Sequence, residues 1–305
     1  MQSKNSDLMG FLEQRKSRRA ALRGLSAGAL GVAALGLFTG EARADGLAKV
    51  DADVLNFALN LEYLEAEYYL YATTGAGLEA QGVDVSGKGE KGGVIIKANA
   101  AVPFANEAIR DYAEEIAADE LAHVRFLRAV LNQKKKLAVA RPLIDLQNSF
   151  TNAARAAGII GPSDIFDPFA NELSFLFGAF VFEDVGVTAY KGGAPLLKDP
   201  VVLEAAAGIL GVEAYHAGIV RTLLYQTGGA AIEVAQKISD LRDAVDGADD
   251  RDQGLVVNGQ ANLVPTDSNG LAYSRSTRQV LNIVYLGVNA KKGGFFPEGL
   301  NGNID

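Results

Sequence analysis

Only two histidines occur in 305 residues, and each closes a Glu-x-x-His: Glu120 with His123, and Glu213 with His216. Residues three apart on a helix share a face, so each pair can aim a carboxylate and an imidazole at one point. The chain has 17 Glu, and chance would pair both histidines in this way roughly a third of a per cent of the time, so the motif points to two helices facing a shared centre. Such a chain is constrained to a helical bundle whose polar side chains converge in its middle.

The surroundings repeat the plan. Glu183 stands 30 residues before Glu213, which suits two antiparallel helices and a short loop; Glu62 stands 58 before Glu120. The excess matches a glycine-rich stretch, Thr73 to Lys97, read as a loop or small hairpin. The first helix is expected from a cap at Asp51 or Asp53 to about Tyr71. The second should begin with Pro103 in its first turn and fade near Lys134–Lys136. Pro142, Pro162 and Pro168 mark an irregular crossover from Leu137 to Pro168. A third helix is expected from about Phe169 to Tyr190, a fourth from about Pro200 to Gln226, and a further amphipathic one over 231–245. The tail reads as loop-rich with one helical run, Thr277 to Leu286. The expectation is all-α: a four-helix bundle over 45–228 with a long crossover, and a loop-rich C-terminal extension over 229–305 packed on it.

Two facing Glu-x-x-His pairs with a Glu from each of two other helices make a carboxylate-bridged two-metal site. Cations about 3.5–4 Å apart need anionic bridges, and oxygen-rich ligation with one imidazole each favours iron or manganese over zinc. Glu120 and Glu213 are the candidate bridges, His123 and His216 the imidazole ligands and Glu183 a terminal ligand. On the first helix Glu62 and Glu65 share a face, and both are candidates; Glu67 points elsewhere. Glu114, Glu115 and Asp119 read as solvated charge. The chain has no cysteine, which excludes disulfides, iron–sulfur clusters and thiol catalysis. Its net charge of −8, with no clustered basic face, argues against nucleic acid as partner.

The first 44 residues read as an address. A basic stretch, RKSRRAALR (15–23), precedes a mild apolar run from Gly24 to Phe38 and then Ala42-Arg43-Ala44, a small-residue cleavage pattern. Ser17-Arg18-Arg19-Ala20-Ala21-Leu22 resembles a twin-arginine signal. Cleavage after Ala44 and a periplasmic or secreted location are expected. No later stretch reads as a membrane span.

Several segments carry a wider likeness: ALNLEYLEAEYY (58–69), DELAHVRFL (119–127), RPLIDL (141–146), FDPFAN (166–171), GVTAYKG (186–192), GILGVEAYHAGIVRTLLY (208–225), ISDLRD (238–243), IVYLGVN (283–289) and GGFFPEGLNG (293–302). On these the chain resembles the ferritin-like family that includes plant desiccation-related proteins and bacterial secreted homologues. The resemblance implies a ferritin-like four-helix bundle with a family-specific C-terminal extension. Tyr69, seven residues after Glu62, is similar in spacing to the ligand helix of ferritins and bacterioferritins, which favours Glu62 over Glu65. The expected function is a di-iron or di-manganese protein acting on O2 or peroxide, as an oxidase or catalase-like enzyme, in oxidative or desiccation stress. The alternative is a non-enzymatic envelope or desiccation-stress protein with structural metal or none. Iron storage in a shell is a third reading, disfavoured by the enlarged loop and the tail. A homo-oligomer is compatible with all three.

Overall fold

A computed structural model describes residues 47–247, 249 and 251–304, so the expected export signal lies outside the described residues. Four long helices form the bundle: α1 (Lys49–Thr74), α2 (Glu107–Asn132), α4 (Glu172–Gly193) and α5 (Pro200–Thr227). Helix α1 packs chiefly on α2, and α4 on α5, giving two helical hairpins. The connection between them carries a short helix, α3 (Asn148–Ala156). After the bundle come α6 (Gly229–Asp246) and α7 (Thr277–Val284).

Several boundaries differ from expectation for local reasons. Helix α1 starts at Lys49 rather than at a cap by Asp51 or Asp53. Asp51 is buried and accepts from the backbone N–H groups of Lys198 and Asp199, so it braces the start of α5 across the bundle. Helix α2 begins at Glu107, beyond Pro103; the side chain of Asn106 accepts from the Ala108 and Ile109 amides and supplies the cap. The glycine-rich stretch is not a hairpin. Its strand β1 (Val94–Ile95) pairs in parallel with β2 (Ile144–Asp145) of the crossover, and Arg141 reaches back to Glu67 and Glu79. The insertion is thus sewn to the connection between the hairpins. In the extension, β3 (Val256–Val257) and β4 (Gln260–Ala261) form a small antiparallel pair.

Among the described helices α4 is the most apolar, and it is enclosed by α1, α5, α6 and α7. By length and composition alone Glu172–Leu196 could cross a membrane, although Glu172, Glu183, Asp184 and Lys191 interrupt it. Yet 78% of its apolar window is buried within the molecule, as befits a core helix. The aromatic core lies at one end of the bundle, where Tyr68 stacks on Phe175 at 5.5 Å and Phe150 and Phe182 pack on Phe295 of the tail.

Candidate metal centre

Six of the seven side chains singled out from sequence face one another in the middle of the bundle. Glu62 comes from α1, Glu120 and His123 from α2, Glu183 from α4, and Glu213 and His216 from α5. All are buried. The Nδ1 of His123 lies 3.2 Å from Glu62, 3.6 Å from Glu120 and 3.7 Å from Glu213. The Nδ1 of His216 lies 3.1 Å from the other oxygen of Glu120 and 3.7 Å from Glu183. Glu120 therefore turns one oxygen to each imidazole.

The hydrogen bonding is unusual for a core. Both oxygens of Glu120 and of Glu213, one oxygen each of Glu62 and Glu183, and the Nδ1 atoms of His123 and His216 are buried without a hydrogen bond. Native interiors rarely leave such atoms unmatched, because each costs its full desolvation penalty. Here they point at one another. Single atoms from Glu62, Glu120, His123 and Glu213 lie within 4.8 Å of one another, and so do atoms from Glu183, Glu213 and His216. Either group could hold a cation, and Glu213 belongs to both. The donor set fits two hard divalent ions.

Two tyrosines hold the outer carboxylates by a reciprocal arrangement. Tyr69 of α1 donates to Glu183 of α4, and Tyr190 of α4 donates to Glu62 of α1. Each terminal carboxylate thus spends one oxygen on a phenol and leaves the other facing the centre. Tyr190 follows Glu183 by seven residues just as Tyr69 follows Glu62; that repeat would have identified it. Glu65, the seventh candidate, is buried beside the cluster but joins neither cation-holding group. Gly186 makes room: a Cβ there would lie 2.3 Å from an oxygen of Glu213 and 3.4 Å from one of Glu65. Glu67 is committed to Arg141 and the Leu78 amide, well apart from the centre.

The charges in the cluster are tightly linked. Burial opposes ionisation of Glu120, but His123 and His216 outweigh it and hold Glu120 far below the usual carboxylate range. Burial likewise penalises the imidazoliums, yet Glu62 and Glu120 push His123 up to about 11, and Asp119 and Glu120 push His216 up to about 10. Burial raises Glu62 to about 7 against the pull of His123, and raises Glu183 to about 8 against that of His216. Burial and neighbouring carboxylates hold Glu65 and Glu213 well above the ordinary range. Without metal, the two imidazoliums offset part of the charge of the acids.

Asp119 is not merely solvated charge. Its carboxylate sits 3.2 Å from His216 Nε2, while the side chain remains 46% exposed. The hydrogen bond fixes the ring so that Nδ1 faces the centre, and makes the imidazole a stronger ligand. Asp119→Asn is expected to lower metal affinity at the His216 side about 10–100-fold without unfolding the chain; competition with a chelator of known affinity measures it.

A ferritin-like domain family model matches residues 50–226. The chain is 33% identical over 254 residues to desiccation-related protein PCC13-62 of Craterostigma plantagineum, covering 78% of each chain. It is 28% identical over 278 residues to ferritin-like catalase Nec2 of Nesocodon mauritianus, covering 85% of this chain and 86% of that one. No solved structure matches.

Proposed function

We propose that this chain, which belongs to the ferritin-like domain family, holds two divalent ions of iron or manganese and turns over peroxide or dioxygen in stress protection. The buried, unbonded atoms of Glu62, Glu120, His123, Glu183, Glu213 and His216 carry this reading. Similarity to a protein named a ferritin-like catalase supports peroxide as the substrate class. In this reading Glu62, Glu120, His123 and Glu213 would hold one ion and Glu183, Glu213 and His216 the other, with Glu120 and Glu213 as the candidate shared carboxylates. When bound, the ion pair supplies electron exchange and Lewis-acid polarisation. The chain does the rest. Tyr69 and Tyr190 fix the outer carboxylates, burial keeps bulk water out, and Glu65 places a further carboxyl, held well above the usual carboxylate range, beside the cluster. We assign the protein to the periplasm or the exterior, on the strength of residues 1–44.

Elemental analysis of natively exported protein should give two metals per chain, with peroxide consumption that chelation abolishes and metal restores. Fewer than one metal per chain would sink the reading. Full metal content with no turnover would leave the second reading, a non-enzymatic stress protein, which similarity to a desiccation-related protein favours.

The pKa shifts give a pH signature. Glu62, Glu183, His123 and His216 all bind protons more tightly in the folded protein than unfolded. Their contribution to metal-free stability is therefore complete at the acid end. It is lost as pH rises from the ordinary carboxylate value of 4.5 through about 8, and from the ordinary histidine value of 6.5 through about 11. Metal must displace those same protons, so its affinity climbs over the same range and loading releases acid. Melting temperatures at about pH 5 and about pH 9 should fall with pH for metal-free protein, while the increment from metal grows.

A further inference from the structure

The reciprocal tyrosines make the two ends of the cluster comparable, and the ends differ. Behind Tyr69 the space is filled: Tyr68 lies 5.3 Å away ring to ring, and Phe175 5.6 Å away, both edge-on. Tyr69 is wholly buried. Tyr190 is only half-buried. Behind it is a cavity of about 40 Å³ walled by Val54, Ala58 and Leu61 of α1, Ala189 of α4 and Ala206 of α5, with Leu196 at its rim. Leu196 is 42% exposed. A water molecule needs roughly 10–15 Å³ of such space, so the cavity admits more than one small molecule.

The wall is almost entirely apolar. Its polar members are Tyr190, Arg275 and Thr277. The Tyr190 hydroxyl is spent on Glu62, and the Arg275 guanidinium is spent on Asp246, Asp252 and Thr188. Hydrogen peroxide entering this space would find little beyond the Thr277 hydroxyl to replace its hydrogen bonds to water, a loss dioxygen does not suffer. Tyr190 belongs both to the cavity wall and to the hydrogen bonding of the cluster, and so forms the partition between them.

We infer that the cavity behind Tyr190 is the port through which dioxygen, and not peroxide, passes between solvent and the buried centre. This rests on the metal-dependent reading proposed above, and narrows it: peroxide must reach the cluster from elsewhere. Lengthening the small side chains at Ala58 and Ala189, which line the cavity and are not among the ligands, would fill the port. Both lie inside helices where leucine is nearly as favourable as alanine.

The test uses the full chain and two variants, Ala58→Leu and Ala189→Leu, each checked for unchanged metal content. Crystals of wild-type protein under xenon pressure should show xenon behind Tyr190, and the variants should show none. Protein loaded anaerobically with ferrous iron is then mixed with dioxygen or with hydrogen peroxide. In the variants, oxidation by dioxygen should slow about tenfold while oxidation by peroxide is unchanged. An empty cavity in wild type under xenon overturns the port. Equal slowing with both oxidants, or unchanged rates with both, overturns it too while leaving the metal-dependent reading intact. Loaded wild-type protein that reacts with neither oxidant overturns that reading, and the port with it.

Discussion

Glu120→Gln and Glu213→Gln are expected to lose the metal pair equally and yet to part company when no metal is present. On the proposed two-ion reading each would remove a shared carboxylate that neighbouring cations need, so metal content should fall from two per chain towards none. The metal-free proteins differ because the two carboxyls carry different protonation. Glu120 is ionised, with one oxygen 3.1 Å from His216 and the other 3.6 Å from His123. Its amide would leave two buried imidazoliums short of their counter-ion. Breaking a buried pair in this way costs about 3–5 kcal/mol, a fall in melting temperature of roughly 10 °C. Glu213, held well above the usual carboxylate range by burial and by Glu120, keeps its proton far more readily than Glu120 does. An amide reproduces the size and neutrality of that acid, so metal-free Glu213→Gln should melt within roughly 1 kcal/mol of the parent. Elemental analysis and thermal melts in chelator decide it. Equal destabilisation of both variants would show the charge assignment to be wrong.

How legible this centre was in the sequence depends on how local each relationship is. The Glu-x-x-His pairs could be read because both members lie on one helix turn, and helix geometry converts spacing into a shared face. Asp119 could not: its partner His216 is 97 residues away, and only the packing of α2 against α5 joins them. Tyr190 was half-legible, hidden until the repeat of Glu62 and Tyr69 in Glu183 and Tyr190 is noticed. Gly186 looks like any helix glycine until Glu213 is seen against it. For the fold, the long helices were readable from their apolar periodicity. Helix α3 was missed because nine residues between prolines give too short a pattern to outweigh the breakers. The parallel pairing of β1 with β2 had no signal at all, since each strand is two residues long.

The extension shows the same limit on a larger scale. Arg221, Arg242 and Arg275 are buried with Asp184, Asp246 and Asp252, three cations against three anions drawn from α4, α5, α6 and the tail. Arg242 bonds Asp184 at 3.0 Å and Asp252 at 2.7 Å. Arg221 bonds Asp184 at 2.7 Å and the carbonyls of Gly254 and Asn262 at 2.8 and 2.6 Å. Nothing in local spacing announces such a network. It nonetheless ties the tail to the residue after Glu183, so the extension braces the bundle directly behind the centre.

Arg275→Met is the sharpest probe of that brace. Arg275 is wholly enclosed, bonding Asp246 at 2.6 Å and Thr188 at 2.8 Å, and also Asp252. Methionine fills much of the volume but leaves both carboxylates without this partner, at a cost of about 3–5 kcal/mol. The cost should depend on pH in a definite direction. Burial already lifts Asp252 from 3.8 to about 6, against the pull of Arg242 and Arg275. A carboxyl raised in the folded state destabilises as pH climbs through that interval, because the folded form must give up a proton it holds more tightly. Losing Arg275 raises it further and carries the penalty into the neutral range. The variant should therefore lag the parent less at about pH 5 than at about pH 8, and Asp252→Asn added to it should recover part of the loss. A variant that melts with its parent at both pH values would mean the three arginines balance one another without bearing on stability. The tail could not then be what holds Asp184, and through it Glu183, in place.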